Sequence, residues 1–185
     1  MRQMRTAILV LTVTVAATLA LVGGGPLPAG ASACSVPLFA YRGGTVIMND
    51  GGHLARVRVQ IADTPDRQQI GLMCRNTLDP DSGMLFIFPT PVRESFWMKN
   101  TLIPLAIAFI DSNWHIVRII EMPVAPDPTS DDPSKFPLYD PHLPFRYALE
   151  VNSGFFKTHE ISEHAELRFV QESSRQGSPT PIFLP

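Results

Sequence analysis

The stretch Arg56-Val57-Arg58-Val59-Gln60-Ile61 decides the class of fold. Val57, Val59 and Ile61 alternate with Arg56, Arg58 and Gln60, and a strict two-residue period puts one side of an extended strand on a core and the other in water. Upstream, Thr45 to Met48 reads as its partner, because Asn49-Asp50-Gly51-Gly52 supplies the positive φ that a hairpin turn requires. Downstream, Asp63-Thr64-Pro65 offers a cap and a proline suited to a first helical turn, which predicts a short helix from Pro65 to about Cys74. Ile70, Met73 and Cys74 are expected to face inward from it. Gly71 weakens such a helix and points to close packing or an early end.

Further along, Met84 to Phe88 is wholly apolar and short, as in a strand buried on both faces. Phe96-Trp97-Met98 reads as extended, with Phe96 and Met98 on one face and Trp97 and Lys99 on the other. A polar break, Lys99-Asn100-Thr101, leads into an apolar strand from Leu102 to Ile110, and Pro104 places its beginning at a sheet edge or bulge. Asp111-Ser112-Asn113 turns the chain into a strand from His115 to Met122. Residues 123–144 differ in kind, with seven prolines, four aspartates and one lysine, the composition of a functional or loosely ordered loop. Phe145, Tyr147, Leu149 and Val151 then alternate with Arg146, Ala148 and Glu150, which puts Glu150 on the polar face of a strand. Ser153 is expected to cap a brief helix through His159, Ala165 to Val170 forms the last strand, and residues 171–185 read as a flexible tail. About seven short strands with one or two short helices make a mostly β protein, a small β-sandwich or partly open barrel.

The first residues bound the compartment. Arg2 and Arg5 precede an apolar run from Thr6 to Val22, and Ala31-Ser32-Ala33 follows a Gly/Pro stretch, so residues 1–33 read as a signal peptide. The run is a little short for a membrane anchor and no basic cluster follows it. The expected product is periplasmic or secreted, with residues 34–54 as lead and hairpin and 55–170 as one β-rich domain. Its two cysteines, Cys34 and Cys74, read first as a disulfide in an oxidising compartment. Lipid anchoring at Cys34, or two inert thiols, are the alternatives. The formal charge is −2, from 15 basic against 17 acidic residues, and no basic block stands out. Nucleic acid and anionic lipid are therefore not expected as partners. The five histidines lack ligand spacing and the methionines read as core filler, so neither a metal nor a cofactor is expected.

Several runs together resemble a known family. Ile61-Ala62-Asp63-Thr64-Pro65, Gly71-Leu72-Met73-x-Arg75, Gly83-Met84-Leu85-Phe86 and Phe96-Trp97-Met98-Lys99-Asn100-Thr101-x-Ile103-Pro104-Leu105 occur in order. Ala108-Phe109-Ile110-Asp111 and Ala148-Leu149-Glu150-Val151-Asn152-x-Gly154 follow. This pattern resembles family 192 of the domains of unknown function over about residues 55–170. The resemblance implies a mostly β, sandwich-like fold and no established activity, substrate or cofactor. Two positions depart from it. Ala106 stands where the family usually has an acid, and Cys74 where it has an apolar or aromatic residue. The first weakens any mechanism using a carboxylate at 106; the second supports a bond to Cys34.

Candidate chemistry gathers at Arg75, Trp97, Lys99, Asn100 and Glu150. An aromatic platform beside a cation, an amide and a carboxylate suits a small polar or saccharide-like ligand, held by a non-enzymatic envelope module. The structural alternative makes Trp97 core, Lys99 solvated, Asn100 a turn residue and Glu150 a strand-register ion pair. Two other readings stand beside it. Glu150 would serve a hydrolase as general base, or the Pro/Asp loop 123–144 would dock an envelope protein partner.

Overall fold

The computed structural model describes residues 34–37 and 39–172; the expected signal segment and the tail beyond Glu172 lie outside the described residues. Seven strands form: β1 (Arg42–Asp50), β2 (His53–Ala62), β3 (Ser82–Val92), β4 (Leu105–Ile110), β5 (Ile116–Met122), β6 (Phe145–Asn152) and β7 (Glu166–Gln171). They make one sheet in the order β5-β4-β6-β3-β2-β1-β7. Every neighbouring pair is antiparallel except β2 and β3, which run parallel and are joined through helix α1 (Pro65–Ile70). The two edges approach at one bridge, His115 opposite Glu166. Nearby, the Ile119 N–H donates to the Glu163 carboxylate at 3.1 Å. The sheet is curled but not closed, which is the mostly β, partly open barrel expected.

Each face of the sheet has its own core. All seven strands contribute to the first, through Val46, Met48, Ala55, Val57, Val59, Leu85, Ala108, Ile116, Leu149 and Leu167, with Phe155 and Phe156 of helix α2 (Phe155–Thr158) closing one end. The second lies on the opposite face, over β3, β4, β5 and β6 with Ala62 at the end of β2, and gathers Met84, Phe86, Phe88, Ile107, Phe109, Met122, Phe145 and Ala148. Hence β4 is buried at every residue, while β2 alternates as its Val57-Arg58-Val59 pattern demands. A strand covered on both faces has no use for alternation.

Irregular segments cover that second core. Leu72, Met98 and Ile103 insert into it from loops. The Pro/Asp loop joins them: Phe136 is buried, and Phe96 and Tyr139 exchange backbone hydrogen bonds at 2.9 and 2.8 Å. So residues 123–144 are folded against the domain. Phe96-Trp97-Met98 is likewise no strand of the sheet, because its side chains roof the sheet from above.

Other expectations shift for local reasons. Helix α1 ends at Gly71, whose φ of 50° no longer continues the helix, and none of its residues is buried. A Cβ on Gly71 would stand 3.2 Å from the Phe86 ring. The inward role expected of Ile70, Met73 and Cys74 passes to Leu72, which the turn at Gly71 points down. Pro104 precedes β4 rather than marking an edge; β4 is internal, and the strand simply starts after the proline. The cap of α2 is Gly154, in a left-handed conformation, while the Ser153 hydroxyl donates to Glu121 at 2.6 Å. Gln171, assigned to the tail by sequence, closes β7 opposite Gly44.

Cys34 and Cys74 form a disulfide, with Cα atoms 5.3 Å apart and 40 positions between them. It ties the lead to the segment after α1. Constraining a loop of that length in the unfolded chain is worth about 3–4 kcal/mol in the chain-entropy model. Replacing both cysteines by serine should lower unfolding stability by about that amount, read from denaturant titrations of the two oxidised and serine forms. An unchanged midpoint would show that the bond constrains nothing.

Candidate functional site

Glu150 lies on β6, opposite Met84 of β3 and Ile107 of β4, on the face of the second core. That face reads as polar in the sequence only because Arg146 and Glu150 flank Ala148; in the fold it is apolar and covered. Glu150 is 5 % exposed. Among the described residues its carboxyl group has no hydrogen-bond partner, and burial pushes it up to about 8, against an opposing pull from the Arg75 guanidinium. At neutral pH it is a protonated acid, able to donate one hydrogen bond and accept others.

The carboxyl meets a recess of about 40 Å³ bounded by Gly71, Phe86, Phe96, Trp97 and Thr101. Gln68, Gln69, Phe86, Phe96 and Trp97 line both this recess and an outer cleft of about 390 Å³, which adds Pro65, Phe88, Glu94 and Ser95. The recess has room for a head group and the cleft for a ring-sized body.

Each wall is held by packing. Phe96 sits edge-to-face on Phe86, centroids 5.0 Å apart, and on Phe109 at 5.6 Å. Trp97 leans on Phe136 of the Pro/Asp loop at 6.0 Å. The Gln68 amide donates to the Ile87 carbonyl at 2.9 Å, which fixes α1 to β3. Position and rotamer are thus set before any ligand arrives, and that lowers the ordering cost of binding.

Of the five residues singled out by sequence, Trp97 and Glu150 share the recess. Arg75 donates to the Gln60 side chain and lines a separate hollow of about 810 Å³ beside Cys34, Val36 and Phe39. The Lys99 ammonium stands 5.8 Å from the centre of the Trp97 ring, a cation–π contact. Asn100 is a fastener. Its φ is 54°, its N–H donates to the Pro128 carbonyl at 2.6 Å, and its own carbonyl accepts from Cys74 N–H at 2.7 Å. It joins the disulfide segment to the Pro/Asp loop. Sequence reasoning missed Gln68, Phe86, Phe96 and Glu94 as cleft residues; only the fold brings α1, β3 and the loop before Trp97 together.

Folding takes Glu150 from an ordinary carboxylate value of 4.5 to about 8, so the folded state holds the extra proton between those limits. Stability from this group is therefore full at acid pH and is lost as pH rises through that window. Glu150→Gln should remove the slope and stabilise the domain near neutral pH by on the order of 3 kcal/mol. Urea midpoints at pH about 5 and about 8 would check it; an equal slope in both proteins would place the titration elsewhere.

Comparison with known proteins gives a family without an assigned activity. No curated protein matches the chain. A solved structure from Sinorhizobium meliloti 1021, described as a candidate transcription regulator, is 32% identical, with 72% of this chain and 98% of that one covered and a TM-score of 0.63. A protein of unknown function from Novosphingobium aromaticivorans is 26% identical, with 79% and 99% covered and a TM-score of 0.59. Residues 46–169 match the family DUF192, described as "Uncharacterized ACR", which spans β1 to β7 and includes Gly71, Trp97 and Glu150. This chain belongs to the DUF192 family.

Proposed function

We propose that this protein is an exported, non-enzymatic module that binds a small polar, saccharide-like ligand in the cleft above Glu150. One observation carries the reading. Glu150, only 5 % exposed, lines a recess walled by Phe86, Phe96 and Trp97, and no described protein group hydrogen-bonds its carboxyl, which is left to whatever fills that recess. Among the described residues no buried side-chain oxygen or nitrogen lacks a partner, so this carboxyl meets water in the recess, and a ligand seated there replaces that hydration with its own hydrogen bonds. Aromatic walls present flat apolar area to a ring, and the glutamine side chains on α1 add polar contacts at the rim.

Export is supported by the arginine-led apolar segment ending at Ala31-Ser32-Ala33 and by the disulfide. A Cys34 sulfur bonded to Cys74 has no valence left for a lipid thioether. No described helix is long and apolar enough to cross a membrane. The hydrolase reading is weaker, since a protonated Glu150 is a poor general base at neutral pH. The docking reading for residues 123–144 loses ground too, because Phe136 and Tyr139 are spent on the cleft wall. A DNA-bound regulator would call for a basic footprint, and this chain carries 15 basic against 17 acidic residues.

The chain has two tryptophans, so Trp114→Phe leaves Trp97 as the sole indole reporter. Titrating that variant with neutral and amino monosaccharides should shift Trp97 emission and raise Tm for at least one sugar. Trp97→Ala should weaken that sugar about tenfold or more while folding normally, and Trp97→Phe should restore part of the affinity. If Trp97→Ala unfolds and no sugar shifts the Trp97 emission or Tm of the Trp114→Phe protein, the indole is core material and the site fails.

A further inference from the structure

Charge selects the ligand more narrowly. Resting on the cleft reading above, we infer that the recess takes the protonated primary amine of its ligand, making an amino sugar or similar ring-bearing amine the favoured class. The charged residues lining the recess and the outer cleft are Glu150 and Glu94, both acidic; neither lining includes a lysine or arginine. Phe86, Phe96 and Trp97 line the same space, and aromatic rings attract a cation that reaches their negative faces. The Trp97 ring already carries the Lys99 ammonium at 5.8 Å, a neighbouring cation that offsets part of this attraction and leaves Phe86 and Phe96 as the aromatic partners. An ammonium group is three donors and no acceptor, which matches the Glu150 carboxylate once its proton has left, since no described protein group donates to it. A recess of about 40 Å³ admits such a head group and excludes the ring that bears it.

The proton balance follows from the surroundings of Glu150. Its strand neighbours Met84 and Ile107 are apolar, Arg75 approaches from the segment after α1, and Lys99 stands on Trp97 in the segment before β4. With nothing bound, burial keeps the carboxyl protonated at neutral pH. Seating an ammonium beside it favours the ionised form, so the carboxyl O–H bond breaks and its proton leaves to solvent. The ligand keeps all three of its own. Binding at pH about 6.5 therefore releases close to one proton, and affinity for an amine that stays charged rises with pH until Glu150 is ionised on its own.

Calorimetry on the full disulfide-bonded protein tests this with glucosamine, N-acetylglucosamine, glucose and n-propylammonium, each in two buffers of different ionisation enthalpy. Glucosamine should bind at least about tenfold tighter than glucose or the acetylated sugar and release about one proton, and Glu150→Gln should erase both the preference and the release. Glucose binding as well as glucosamine, with no proton released, overturns the ammonium inference and leaves the cleft reading standing. Binding of n-propylammonium with proton release, and of no sugar, keeps the ammonium pocket and discards the saccharide-like class. Silence from all four at millimolar concentration removes both.

Discussion

A curled seven-stranded sheet hides one face by wrapping it around a core, and the other face must be covered by something else. Here β3, β4 and β6 are apolar on both sides, so the outer face of the central strands cannot meet water. Burying an aromatic or large aliphatic side chain is worth about 1.5–3 kcal/mol. Exposing Phe86, Phe88, Phe109 and Phe145 together would cost about 6–12 kcal/mol, comparable to the whole stability of an ordinary domain. The non-strand segments are recruited to prevent it: α1 with Leu72, the Phe96 to Ile103 stretch, and the Pro/Asp loop with Phe136 and Tyr139. By contrast the outer face of β1, β2 and β7 carries Arg56, Arg58 and Arg168, and stays in water.

A cover assembled from three separate segments has seams, and the candidate site lies in one. Helix α1 meets the Phe96-Trp97 segment over β3 and β6, and the small Gly71 with its left-handed backbone leaves room between them. Glu150 projects from the sheet at that gap. The same fasteners that keep the cover in place therefore shape the cleft. The Cys34–Cys74 disulfide, the Asn100 backbone bonds and the Phe96–Tyr139 pair all converge on the residues just outside it. Rigidity and site are products of one set of contacts.

That arrangement also explains what the sequence disclosed and what it hid. Alternation at Val57 to Ile61 and the unbroken apolar run at Met84 to Phe88 report local burial directly, and both were legible. The disulfide was legible because two cysteines leave few choices. Phe96-Trp97-Met98 misled, since a roof segment and a strand both need large apolar residues, and single-sequence periodicity over three residues cannot separate them. Glu150 misled for a related reason. A charged residue opposite apolar neighbours normally marks the wet side of a strand, and only the tertiary cover makes it a buried group. Pairing Trp97 with Glu150 was within reach; dropping Arg75 and Asn100 from the cleft required knowing where the segment after Gly71 turns.

The sheet order has one more consequence, for the timing of assembly. The earliest strand sits between β2 and β7, and Glu172 N–H closes on the Gly43 carbonyl at 3.1 Å. A polypeptide emerging from its amino end therefore leaves β1 with a bare flank until β7 has followed the other described strands. The hairpin it makes with β2 is a waiting template, exposed to any stray extended chain in the interval. The same adjacency brings the two ends of the domain together, so a circular permutant cut at the Gly51-Gly52 turn and joined across that junction would preserve every strand pairing while changing which one is born last.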